Sequence, residues 1–219
     1  MKRLQIIILT FGICGLISCN GQQDNGATFN QSFQVGSIPG ISDFETLNEE
    51  EKHTDSLKTR HKKDWRNNRS RVFMNFYTNG KLSEIDSAFI KGFPTPCECL
   101  IDKDTMFVSM GIGFFGGLGT NLKVFRDRFI GSFYEYTDDV KPYKTNLNDT
   151  AFSNYVLVPN KYQHLTLSDM PTWQSDQQLS GLMNFTSNDF YEETYGHVVD
   201  SKYVTGKIYF TCKTRQKTK

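Results

Sequence analysis

Gly111-Ile112-Gly113-Phe114-Phe115-Gly116 has the G-x-G-x-x-G spacing that brings backbone amides close to a pyrophosphate when it opens a helix after a strand. Here Gly117 and Gly119 follow at once and 122–126 reads as a strand, so the glycines point to a tight β turn or a close backbone approach in a sheet. His53, His61, His164 and His197 form neither an H-x-x-x-H nor an H-E-x-x-H pattern. Asp102, Asp104, Asp138, Asp139, Glu192 and Glu193 supply carboxylate pairs of the kind that bind Ca²⁺ or hydrolyse glycosides. Acidic turns carry the same residues, and Asp102-Lys103-Asp104 lacks the glycine and terminal glutamate of an EF-hand loop. Cys97-Glu98-Cys99 has no histidine near it to complete a metal site. A nucleophile elbow and a P-loop lysine are both missing from the sequence. No catalytic residue, metal site or cofactor is therefore expected.

The elements that must position these residues read as β. The chain carries 18 Phe, 10 Tyr and 2 Trp in 219 residues, a composition suited to pleated, half-buried surfaces. From Arg69 onward apolar residues alternate. Met106, Val108, Met110, Ile112 and Phe114 share one face, as do Leu179, Gly181, Met183 and Phe185, and near the end Ile208, Phe210 and Cys212. Asn79-Gly80 is a hairpin turn after the strand 72–78, and polar clusters separate the later runs. Eight to ten short strands with no crossover helices predict an all-β domain over 69–219, an antiparallel β-sandwich with a small β-barrel as the alternative. Before it, Ser42-Asp43-Phe44-Glu45 is a capping box opening a polar helix over 42–68, acidic at its start and basic at its end. The basic run 58–71 suits anionic lipid head groups, although the positive end of a solvated helix is its simpler reading.

The N-terminus carries an address. Lys2 and Arg3 precede an apolar stretch from Leu4 to Ile17, which is shorter than the roughly 20 residues a membrane-spanning helix needs. It ends in Leu16-Ile17-Ser18-Cys19, which resembles the lipobox of bacterial lipoproteins. The resemblance implies that 1–18 is a signal peptide, that cleavage falls before Cys19, and that Cys19 is the site of lipid attachment. Acyl chains such as palmitate on this residue would give stable anchoring in the bilayer. Asn20 rather than aspartate follows the cysteine, which in such lipoproteins implies passage to the outer membrane. Residues 19–41 then read as the lipidated cysteine and a flexible polar tether; its 20–40 stretch would reach on the order of 25 Å.

Loss of Cys14 with the signal and use of Cys19 as anchor leave Cys97, Cys99 and Cys212. In a strand, Cys97 and Cys99 face the same side, and an oxidising envelope allows Cys97 or Cys99 to form a disulfide with Cys212, the alternative being buried free thiols. Asp55-Ser56-Leu57, Asp86-Ser87-Ala88, Asp104-Thr105-Met106 and Asp149-Thr150-Ala151 resemble an envelope O-glycosylation signal, which implies surface positions. The whole chain is formally +1; loss of Lys2 and Arg3 leaves 23 basic against 24 acidic residues, so bulk charge argues against a nucleic-acid partner. The function expected is that of a lipid-anchored envelope binding or accessory module, its partners the bilayer and a protein or carbohydrate ligand. Aromatic rows such as Phe133-Tyr134-Glu135-Tyr136 would form the contact surface. A structural role in envelope assembly and a carboxylate-dependent hydrolase of envelope or extracellular polymers are the alternatives.

Overall fold

The computed structural model describes residues 31–46, 68–89, 91–113, 115–194 and 197–217. The signal peptide, Cys19, and the parts of the tether and polar helix at 19–30 and 47–67 lie outside the described residues. The chain forms β1 (Gln31–Ser32), β2 (Gln34–Val35), α1 (41–46), β3 (Arg69–Thr78), β4 (Lys81–Ser83) and α2 (Glu84–Phe89). It continues through β5 (Lys91–Asp102), β6 (Thr105–Gly113), β7 (Gly116–Phe125), β8 (Arg128–Thr137) and β9 (Tyr143–Lys144). Last come β10 (Tyr155–Leu167), β11 (Gln178–Ser187), β12 (Phe190–Thr194) and β13 (Val198–Gln216).

The result is an all-β, mostly antiparallel sandwich. One layer contains β6, β7 and β8, the other β3, β11, β12 and most of β13; β5 and β10 divide between the two, and the last residues of β13 pair with β5 in the first. The first half of β5 pairs with β3 and its second half with β6; the first half of β10 pairs with β8 and its second half with β11. Because β13 pairs with both β11 and β3, the hydrogen-bonded path returns on itself. An extra residue bends each corner strand, Gly92 in β5 and Lys161 in β10, since the registers slip at Val72/Phe73 and at Asn160/Tyr162. Gly92 sits at φ 71°, and a Cβ there would press on the Phe73 ring at 3.0 Å. Pro94 and Pro96 fit this corner. The Cys97 amide donates to Asn68 O at 3.2 Å, so by alternation the nitrogens of Pro94 and Pro96 face the side that β6 does not reach.

The alternating runs deliver the core. Met106, Val108, Met110, Leu179, Met183, Ile208, Phe210 and Cys212 are essentially inaccessible, and Phe133 of β8 meets Phe76 across the layers at 6.4 Å between ring centroids. The hairpin at Asn79-Gly80 takes φ 50° and 77°, the left-handed pair that a two-residue turn requires. Gly116 and Gly117, expected in a turn, instead begin β7.

Residues 31–41 have a tether-like composition, yet they lie on the domain. β1 pairs with β8 just where β10 leaves it, and β2 runs parallel to the end of β10. Ile38 and Phe44 then pack with Leu182 and Tyr209 on the outer face of the second layer, Phe44 stacking on Tyr209 at 5.8 Å. The Tyr209 hydroxyl donates to Pro39 O at 2.9 Å. Isolated apolar residues suffice because the receiving face is already built. Helix α1 begins one residue before Ser42, whose carbonyl accepts a bond from Thr46 Oγ1, so Ser42 lies inside the helix and does not cap it.

Candidate functional site

The outer face of the first layer gathers the aromatic residues of strands 8 and 10. Strand alternation sends Phe133 and Glu135 inward and Tyr134 and Tyr136 outward. The register sets Tyr134 beside Gly119 and Tyr136 beside Gly117, and these glycines face Gly111 and Gly113 of β6. Four positions without a side chain therefore lie under two tyrosines. A Cβ at Gly111 or Gly119 would collide with the Tyr134 hydroxyl, and one at Gly117 would come within 2.7 Å of Tyr136 Cε1. The rings lie across the neighbouring strands instead of standing away from them. The G-x-G-x-x-G run is thus a floor for tyrosines, which is the close backbone approach its context predicts.

Tyr155 and Leu157 of β10 continue this face, each 43% exposed, with Tyr155 opposite Tyr136 and Leu157 opposite Tyr134. The Tyr134 and Tyr155 rings are near-parallel, inclined by 25° with centroids 6.4 Å apart. Ser109, Asn121 and Ser132 flank it on the same face, with the Ser109 hydroxyl donating to Asn121 Oδ1 at 3.2 Å and also bonded to Tyr134. Burial pushes the Tyr134 and Tyr155 hydroxyls above the ordinary phenol range, so both remain protonated donors. At the tip of the β6–β7 hairpin Phe115 stands 85% exposed. This surface can stack on a flat apolar face while hydrogen-bonding groups at its rim.

A second constellation closes one end of the core. Glu135 points inward beside Tyr143, Glu192 and Lys202, and its Oε2 is buried without a hydrogen-bond partner. Burial raises the Glu135 carboxyl to about 7; Lys202 opposes this and Glu192 adds to it. Lys202 forms an ion pair with Glu192. Burial works against the Lys202 charge, but the bond to Glu192 and the carboxylates of Glu192, Glu135 and Asp86 outweigh it, leaving its pKa raised. Tyr143 hydrogen-bonds the Glu135 carboxylate and is itself 2% exposed, so it covers the group. Of the carboxylates named from sequence, only Glu192 belongs to this cluster. Glu193 bonds His197 at 2.8 Å on the surface, and Asp102 and Asp104 occupy an exposed turn. Glu135 was legible only as part of an aromatic row; its depth was not.

Cys99 and Cys212 form a disulfide with Cα atoms 6.0 Å apart, and Cys97 remains a buried thiol beside it. All three sulfurs lie within 4.8 Å of one another. Burial pushes the Cys97 thiol well above the usual range, which keeps it protonated and unreactive. The glycosylation resemblance fails at Ser87, which is 3% exposed: it accepts from the Phe76 amide and donates to Ser83 O, fixing α2 to β3. In the basic run, Arg71 belongs to β3, is 6% exposed, and donates to Gly92 O at 2.8 Å. It therefore braces the β5 corner.

The chain matches no protein-family model, and no curated protein and no solved structure is significantly similar to it. Its class is defined by its architecture, an all-β sandwich with an aromatic outer face.

Proposed function

We propose that this protein is a lipid-anchored lipoprotein of the cell envelope, held in the outer membrane through acylated Cys19, and that it works as a binding or accessory module without a catalytic step. The observation that carries the binding role is the tyrosine surface laid over four glycines. Exposed rings backed by a fully hydrogen-bonded sheet form a rigid contact face that loses little entropy on binding. The lipobox-like Leu16-Ile17-Ser18-Cys19 carries the anchoring. The buried carboxylate pair favours a hydrolase less, because Tyr143 lies over Glu135 and the Glu192 charge is committed to Lys202.

Tyrosine iodination compares the protein in intact envelopes with the purified chain. Tyr155 should be protected in envelopes, while Tyr162, 69% exposed on the second-layer half of β10, should react equally in both. Equal reactivity of Tyr155 in the two states would remove this face as the site of binding.

A further inference from the structure

We propose that the tyrosine surface binds an uncharged glycan chain by stacking on its sugar rings. This rests on the reading of that face as the binding surface and adds the chemistry of the ligand.

The first argument is charge. Short of Lys123 and Arg128, which lie further along this outer face, the outward positions of β6, β7, β8 and the start of β10 are Ser109, Asn121 and Ser132, the four glycines, Tyr134, Tyr136, Tyr155 and Leu157. None carries a formal charge. The nearest charged groups on the face are Glu98 of β5, opposite Ser109, and Lys123 of β7, and they stand at its margin with opposite signs. A nucleic acid or an acidic polymer needs a row of cations to replace its counterions, and this face has none.

The second argument is the mixture of groups. The rings are apolar in the middle, and hydroxyls and one amide surround them. A pyranose presents the complementary pattern, an apolar C–H face bordered by hydroxyls that both donate and accept. Lipid tails would offer the Ser132 hydroxyl and the Asn121 amide N–H groups no partner.

Size is the third. Four strands span about 14 Å and three outward rows a similar length, so the surface covers roughly 200 Å². That is well short of the roughly 800 Å² each partner contributes to a stable protein interface. It accommodates roughly two or three sugar rings side by side. Phe115 at the hairpin tip extends the face in one direction, so a linear chain would run along the strands toward it.

Native electrophoresis of the full chain in a non-ionic detergent, through gels containing laminarin, hydroxyethylcellulose, soluble starch or alginate, tests this. At least one of the three neutral glycans should retard the protein. Tyr155→Ala and Leu157→Asp should each weaken that retardation by about tenfold, and Tyr155→Phe should keep it. Positions 155 and 157 are both well exposed, and near-ultraviolet circular dichroism reports whether the variants remain folded. No retardation by any neutral glycan, retardation by alginate alone, or full binding by folded Tyr155→Ala would each overturn the proposal. Protection of Tyr155 in envelopes together with unretarded migration would overturn the glycan while leaving the face as a binding surface for another partner.

Discussion

Among the described carboxyls, Glu135 is the one whose chemistry is most altered by where it sits. Its carboxyl rises from the usual 4.5 to about 7, first because of burial. A carboxyl whose pKa rises on folding favours the protonated folded state. The stabilisation is fully present below the unfolded value and is lost as pH climbs through about 7. Urea unfolding should therefore show stability falling between pH 4.5 and 8 by about 3 kcal/mol from this group, and Glu135→Gln should flatten that fall. An unchanged slope in the variant would assign the pH dependence to other groups. The cysteines give a second residue-scale expectation. Mass spectrometry of unreduced protein, alkylated after unfolding, should find Cys97 alone modified and Cys99 linked to Cys212. Three modified cysteines would mean that no bridge forms. With the partners 113 positions apart in sequence, the chain-entropy model assigns the bridge about 4–5 kcal/mol.

At the scale of elements, the notable feature is a segment that reads as linker and behaves as part of the sandwich. β1 fills the place beside β8 that β10 vacates, and Ile38 and Phe44 cover apolar surface on the second layer. A nonspecific protease should accordingly trim the chain to about residue 31 and spare 31–46. Phe44→Ala should cost about 3 kcal/mol in unfolding free energy and open 31–46 to cleavage at a rate the intact domain resists. Rapid cutting between 35 and 40 in the unmodified protein would show that these contacts do not hold.

For the whole molecule, the proposal to be tested is attachment to a membrane. Among the described residues no helix is long and apolar enough to cross one. The proposed anchor is Cys19, and its substitution is decisive. In Cys19→Ala cells, labelling with an alkyne-tagged fatty acid should disappear from the protein, which should stay unprocessed or leave the membrane fraction. Label and membrane retention in that variant would end the lipoprotein reading. With lipid at Cys19 and the described domain beginning at Gln31, eleven residues would lie between anchor and domain, and a coil of that length sets their reach. These span on the order of 18 Å on average, so the tyrosine face would work close to the bilayer.

Much of this was legible from sequence. Period-two alternation depends only on neighbours along the chain, so it assigned Met106, Val108 and Met110, and later Ile208, Phe210 and Cys212, to the buried face. Asn79-Gly80 marked its turn because few residue pairs tolerate two left-handed conformations in succession. Alternation states which side a residue faces and is silent about which strand lies beside it. The glycines of β6 and β7 were visible as a run, and Tyr134 and Tyr136 as a row, but only the β6–β7–β8 register laid one over the other. Likewise Glu135 owes its raised pKa first to burial and then to Glu192, against the opposing pull of Lys202 and Tyr143, and these neighbours lie from eight to 67 positions away along the chain. That Cys99 rather than Cys97 bridges to Cys212 is set by how the end of β13 lies alongside β5, two strands far apart in the chain. Local sequence thus determined the strands, turns and buried faces. Strand neighbours, and with them the aromatic surface, the buried acid and the disulfide partner, depended on long-range pairing that only the closed tertiary fold decides.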